Sequence, residues 1–223
     1  MKNKKTALIA GATGLVGNAL LQLLLDDDRY SEVRVLSRSS LEIEHPKLKE
    51  ELLQFGHLQD FAAHFEVDHV FCCLGTTIKK AGSEAAFKKV DQEYPLVMAQ
   101  LAHEKKVAHF LIITAMGANS GSLIFYNKVK GQVESAIKDL KLKATSVLRP
   151  SLLLGDRKEN RIGEQVGAAF MKLAAPFMLG SLKKYKAIEA KTVAKAMLRI
   201  ANSEKEGFNI YESDALQKLG SKQ

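Results

Sequence analysis

Short apolar runs at residues 7–10, 33–37, 70–74, 110–114 and 145–148 are separated by longer stretches in which apolar residues recur every three or four positions. The runs are too short for helices. Their near-continuous apolar character predicts strands covered on both faces, hence a parallel sheet. Helical spacing predicts helices over 15–25, 58–65, 83–104 and about 126–140, and residues 50–53 read as one further strand. Alternation of strand and helix at this spacing predicts an α/β fold with a doubly wound parallel sheet of the Rossmann type.

Past Arg149-Pro150 the pattern loosens. Residues 161–180 are rich in Ala, Gly and Met and are interrupted by Pro176, residues 192–201 are amphipathic, and 207–211 read as a late strand. This tail is short for a domain of its own. The expectation is a single dinucleotide-binding domain over 1–223. Residues 151–223 would form a small helical extension over the substrate side, where ligands sit beyond the carboxyl ends of the strands. Within it, 161–180 would be a mobile cover.

Composition narrows the classes. The chain has 223 residues, 46% hydrophobic and 26% charged, which fits one globular domain and excludes a wholly disordered, collagen-like or coiled-coil chain. The net charge of +8 comes from lysines scattered in pairs, Trp is absent, and no recognition motif accompanies the charge, so no nucleic-acid partner is expected. Cys72 and Cys73 are adjacent and would point to opposite faces of a strand, which does not make a disulfide framework. With no secretory signal, the expected compartment is the cytoplasm. Residues 6–25 and 107–127 lack charge over membrane-span length, but Gly, Asn and hydroxyl residues break both, so no span is expected. The histidines lack ligand spacing and no metal is expected.

The first strand runs into Gly11-Ala12-Thr13-Gly14-Leu15-Val16-Gly17 and then a helix. Glycines there permit a tight turn and close backbone approach, and free N–H groups at a helix start face an anion. Gly11, Thr13, Gly14, Leu15, Val16 and Gly17 are therefore candidate pyrophosphate contacts; the alternative is a glycine turn used only for packing. The second strand ends in Ser37-Arg38-Ser39, with no carboxylate before Glu42. An arginine and two hydroxyls suit a 2′-phosphate, so the expected cofactor is NADP(H), with Arg38 as selector. A solvent-exposed loop arginine is the plainer alternative.

Tyr126 has Lys130 four residues on, and the two share a helix face. Lysine in that place can hold a ribose and favour the phenolate, leaving tyrosine as general acid or base. Following a strand and a Gly-first nucleotide loop, this pair resembles the short-chain dehydrogenase/reductase superfamily. Phe71-Cys72-Cys73-Leu74-Gly75-Thr76-Thr77, then Lys80-Ala81-Gly82, Val90-Asp91 and Tyr94, narrow the likeness. So do His109-Phe110, Gly117-Ala118, Val129-Lys130-Gly131 with Glu134, Val147-Leu148-Arg149-Pro150, and Asp156-Arg157. Together they resemble the Tat-interacting-protein-like branch of the atypical members, over about residues 5–200.

The resemblance implies bound NADP(H) and an oxidoreductase of undefined substrate. It places Leu74, Gly75, Thr76 and Thr77 beside the cofactor, Gln54 near adenine, and Arg149-Pro150 along the nicotinamide. Where the superfamily usually has the serine that polarises a substrate carbonyl, Ala115 occupies the position and Thr114 lies one residue earlier, which makes Thr114 the candidate for that role; a strand-end residue satisfying backbone is the plainer alternative. The first reading is an NADPH-dependent reductase of a small carbonyl substrate, monomeric or homodimeric. The alternatives are a non-catalytic NADPH sensor with a macromolecular partner, and epimerase or dehydratase chemistry with retained cofactor.

Overall fold

The computed structural model describes residues 4–155, 185–203 and 205–222. Five expected strands form as β1 (Lys5–Ala10), β2 (Tyr30–Ser37), β4 (His69–Cys72), β5 (His109–Ile113) and β6 (Ala144–Arg149). The further strand over 50–53 is β3 (Leu48–Leu52), and the late one is β9 (Gly207–Glu212). They pair in parallel in the order β3-β2-β1-β4-β5-β6-β9. The chain reverses its winding between β1 and β4, and ligands of doubly wound sheets bind at that switch point.

Alternation along the strands divides the core. Ala7, Ile9, Val33, Val35 and Phe71 face one layer, made by α1 (Leu15–Asp26), α6 (Ala190–Ala201) and Leu216 of α7 (Ser213–Gly220). Leu8, Ala10, Leu36, Val70 and Phe110 face the other, made by a 3-10 helix (Phe55–Phe65), α4 (Tyr94–Glu104) and α5 (Phe125–Asp139). Burial on both faces is why these strands read as continuous apolar runs.

The helix expected over 83–104 is three pieces: α3 (Glu84–Lys88), a π turn (Lys89–Glu93) and α4. Pro95 near the start of α4 has no N–H for the carbonyl four residues back, at Asp91, so the hydrogen-bond register slips there. A short α2 (Ile78–Ala81) precedes α3.

The described part of the C-terminal tail joins the sheet and one of its layers: β9 lies beside β6 from Ala144↔Gly207 to Arg149↔Glu212, and α6 buries Val193, Met197 and Ile200 in the α1 layer. The physical reason is that β6 would otherwise be a bare edge and α1 a half-covered helix. A two-strand ribbon, β7 (Leu153–Leu154) with β8 (Ile188–Glu189), brings the chain back. The expected mobile cover over 161–180 lies outside the described residues.

The amino ends of the strands carry a separate polar cluster. Tyr30 Oη and His69 Nδ1 are 2.7 Å apart, Asn202 donates to Tyr30 Oη at 3.0 Å, and Lys5 donates to Asn202 at 3.0 Å. His109 Nε2 lies 2.9 Å from Ser146 Oγ. Burial pushes the His69 imidazole down to about 3 and the His109 imidazole down to about 4, helped by the Lys5 charge.

Candidate dinucleotide site

At the switch point β1 ends in Gly11, whose φ of 87° is a left-handed conformation. A Cβ on Gly11 would run into the Cys73 carbonyl, and one on Gly17 into the Gly11 carbonyl. The two glycines thus let β1, β4 and the first turn of α1 meet backbone to backbone. Gly14 N–H closes the turn on Gly11 O at 3.0 Å. Gly14 is also the N-cap of α1, with no side-chain cap and no acidic residue in the first turn. Thr13 and Gly14 are exposed, Leu15 is half-buried, and the Val16 side chain is in the core, leaving its N–H as the available group. Unsatisfied N–H groups at the positive end of a helix dipole, in a cradle that side chains would fill, fit a pyrophosphate.

The end of β2 is organised by a residue that local reading of the second strand missed. Glu50 on β3 accepts from Ser37 Oγ at 3.2 Å, Ser40 Oγ at 3.0 Å and Leu41 N at 2.8 Å. The Ser37 hydroxyl also lies 2.5 Å from Ser39 O. Ser37, a candidate contact for a 2′-phosphate, is buried, and its single proton serves this loop. Arg38 and Ser39 are exposed, and Arg38 makes no ion pair among the described residues. Gln54 is exposed beyond β3 and begins the 3-10 helix, its carbonyl accepting from His57 N at 2.9 Å. The β3 register, Glu50 opposite Val35, brings a carboxylate thirteen residues away to the tip of β2.

Tyr126 and Lys130 lie on the first turns of α5. The Tyr126 ring packs against Phe87 of α3, centroids 5.5 Å apart. Lys130 is buried, and its Nζ lies 2.7 Å from Asp91 Oδ1 in the π turn. Burial pulls the Lys130 ammonium down, but the Asp91 carboxylate, joined by Tyr126 and Cys72, pushes the other way, and the balance lies above the usual lysine range. Asp91 Oδ2 accepts from Thr76 N at 2.9 Å. Leu74, Gly75, Thr76 and Thr77 leave β4 over this pair, and Thr77 caps α2 by accepting from Lys80 N at 3.2 Å. Gly131, next to Lys130, lets the β5–α5 loop lie against the helix: a Cβ there would overlap the Asn119–Ser120 backbone.

Thr114 and Arg149 face elsewhere than expected. The Thr114 hydroxyl donates to Glu134 Oε1 at 2.6 Å and is buried. Arg149 donates to both Glu134 oxygens, at 3.1 and 2.5 Å, and to Glu212 at 3.0 Å. The Glu134 hydrogen bond raises the already high affinity of this guanidinium for its proton. A hydroxyl has one proton, and that of Thr114 is committed to a carboxylate. The Thr114 hydroxyl, the candidate carbonyl polariser, and the Arg149 side chain, in the segment expected along the nicotinamide, thus both serve contacts that bracket α5, β6 and β9. Pro150 is buried, and its carbonyl accepts from Met116 N at 3.1 Å, tying the β6 exit to the β5 exit.

Cys72 lies in the α4–α5 layer and Cys73 against the opposite one, as strand alternation requires. Burial pushes the Cys72 thiol up to about 12 and raises that of Cys73, so neither is a nucleophile. Among the described residues no cluster of His, Cys, Asp or Glu is arranged to hold a metal, and no helix is long and apolar enough to cross a membrane.

Comparison with known proteins places this architecture. The model of a family described as NAD(P)H-binding matches residues 11–204. Protein HTATIP2 of Rattus norvegicus is 35% identical over 226 residues, covering 99% of this chain and 90% of that protein. Protein FMP52-1, mitochondrial, of Scheffersomyces stipitis is 32% identical, covering 70% of each chain. A UDP-glucose 4-epimerase from Thermotoga maritima, solved with UDP-glucose, shares the fold at a TM-score of 0.69 and 16% identity, over 96% of this chain and 81% of its own. WbmH of Bordetella bronchiseptica, solved with NAD+, does so at 0.70 and 15%, over 98% and 80%. The chain belongs to the NAD(P)H-binding family and, within it, to the atypical short-chain dehydrogenase/reductases of the HTATIP2 type.

Proposed function

We propose that the protein is an NADP(H)-dependent reductase of a small carbonyl compound, with Tyr126 as proton donor. The observation that carries this is the Tyr126–Lys130 pair, standing one buried ion pair away from the Gly75 segment that leaves the switch point. Gly11, Gly14 and Gly17 with the α1 N–H groups would hold the pyrophosphate, Arg38 the 2′-phosphate, Gln54 the adenine and Lys130 the ribose. When bound, the nicotinamide supplies or accepts hydride. In a reduction, Tyr126 would give its phenolic proton to the oxygen of the carbonyl that becomes the alcohol, and solvent would return a proton to the phenolate left behind. Thr114 is reassigned from this step to holding Glu134 in place.

Tyr126→Phe is the test, on a substrate found by screening NADPH oxidation against diverse carbonyls. Removing only the hydroxyl should lower turnover by about 10²–10⁴-fold while NADPH affinity survives. Full turnover in that variant overturns the reading. The engagement of Thr114 by Glu134 favours one second reading, a protein that binds NADPH and presents its state to a macromolecular partner. Tight NADPH binding with no turnover across the screen supports it. The unbridged Cys72 and Cys73 support a reducing compartment such as the cytoplasm, whereas the name of the fungal relative says mitochondrial; cell fractionation decides between them.

A further inference from the structure

Two opposite charges are buried together under the proposed cofactor path. The Lys130 and Asp91 side chains are 5% and 1% exposed, and their charged atoms are 2.7 Å apart. Asp91 Oδ1 is buried with no hydrogen-bond partner and meets the ammonium as an ion pair, while Oδ2 is taken by the Thr76 N–H. A Cβ on Gly75 would lie 3.6 Å from Asp91 Oδ1 and 4.0 Å from Lys130 Nζ, so the pair sits directly beneath the backbone leaving β4. Three elements therefore converge on one ammonium: α5, the β4 exit and the π turn. That turn is the one π segment among the described residues, and such turns recur at functional sites.

A role in stability alone is a poor account of the pair. Desolvating two charges costs about as much as their attraction returns, and apolar residues of the same volume often do as well. We propose that Asp91 is a positioning residue of this site, whose carboxylate fixes the Lys130 ammonium in place and in charge so that it can hold a cofactor ribose. This rests on the reading of Lys130 as the ribose-holding group. An ammonium carries three donors. Asp91 holds it as an ion pair at 2.7 Å, and a ribose diol would take donors from the same ammonium.

The charge matters as much as the position. Burial alone pulls a lysine toward the neutral amine, by as much as about 3–5 pH units for a fully buried group. The groups facing Lys130 are Asp91 from the π turn, Tyr126 from one turn earlier on its own helix, and Cys72 from β4. The Cys72 thiol is neutral, since burial pushes it up to about 12. Asp91 is thus the anion that keeps the ammonium charged, and it is supplied from 39 residues away by a backbone irregularity that Pro95 sets.

The test is NADPH affinity across pH 6.5–9.5, which needs no substrate, for the parent, Asp91→Asn, Asp91→Glu and Lys130→Ala, each checked for folding by circular dichroism. Asp91→Asn keeps shape and removes charge. Its NADPH affinity should begin to fall at least about one pH unit below that of the parent, as an unpaired buried lysine gives up its proton. Asp91→Glu should recover part of the parent profile, which a purely structural role would not require. If Lys130→Ala weakens NADPH but a folded Asp91→Asn keeps the parent's affinity and pH profile, the Asp91 proposal is overturned and the ribose reading stands. If Lys130→Ala binds NADPH as the parent does, the ribose reading itself fails and takes the proposal with it. Should Asp91→Asn not fold, 13Cε-lysine NMR of the parent decides, with Lys130→Arg assigning the resonance. A Lys130 still charged at pH 10 supports the proposal, and one that titrates below pH 9 overturns it.

Discussion

Thr114 gives its hydroxyl proton to Glu134 at 2.6 Å, in the interior and 20 residues along the chain. Glu134 is also held by Arg149, which continues to Glu212 at the end of β9. The chain of contacts joins β5, α5, β6 and β9 at the carboxyl ends of the strands. The hydroxyl one residue before the expected serine position thus has a structural task.

Thr114→Ala should therefore cost stability, not cofactor affinity. Leaving Glu134 short of one donor costs about 1–3 kcal/mol. Arg149→Met, which strands a buried carboxylate, should cost about 3–5 kcal/mol. Urea unfolding beside NADPH titration separates the two effects. A Thr114→Ala variant of parental stability with turnover lost would return the hydroxyl to catalysis.

Cofactor preference should answer to two opposed charges at the tip of β2. Arg38→Asp removes charge-assisted hydrogen bonds to a 2′-phosphate, worth about 1.5–3 kcal/mol, or about 10–100-fold in NADPH affinity with little change for NADH. Glu50→Gln keeps an acceptor for Leu41 N while removing the anion, and should tighten NADPH relative to NADH. Calorimetric titration of both nucleotides against both variants measures the ratio. An unchanged ratio in Arg38→Asp would remove Arg38 as the selector.

Acid should destabilise this fold earlier than carboxylates alone would. His69 and His109 are pushed down to about 3 and about 4 in the folded protein, against 6.5 for an exposed histidine. The unfolded chain therefore binds the extra protons first. Their contribution is complete above about pH 6.5 and is lost as pH falls from there toward the folded values, by up to about 1.4 kcal/mol per pH unit for each histidine. Unfolding free energies measured between pH 7 and 5 should show this slope. His69→Gln should reduce it; an identical slope in that variant would place the proton uptake elsewhere.

Gly131→Ala probes the loop over the site. The added methyl group meets the Asn119–Ser120 backbone, which has no flexible side-chain end to move aside. Overpacking of this kind costs about 1–3 kcal/mol and should displace the loop from α5. Thermal unfolding and hydrogen exchange of residues 117–124 report it, and parental protection there would mean that α5 shifts in place of the loop.

Much of the fold was legible in local pattern. Strands covered on both faces leave apolar runs such as 70–74, and the glycine spacing after β1 leaves a mark because backbone contact tolerates no side chain. The 83–104 helix was read as one piece because periodicity persists through a π turn, and Pro95 was the signal that could have divided it. The late strand over 207–211 is legible as β9, but its place as the sheet edge beside β6 is not, because a half-buried edge strand carries no local mark of its neighbour.

By itself, the sequence determined the parallel sheet, the nucleotide loop and the spacing of Tyr126 and Lys130, because each depends on residues within one or two turns of one another. Tertiary structure alone decided what those residues meet. Asp91 reaches Lys130, Glu50 reaches the β2 tip, and Glu134 captures Thr114, across separations of 39, 13 and 20 residues. A charge or a proton is committed by whatever lies within about 3 Å of it. That neighbour is chosen by strand register and helix packing, not by adjacency along the chain.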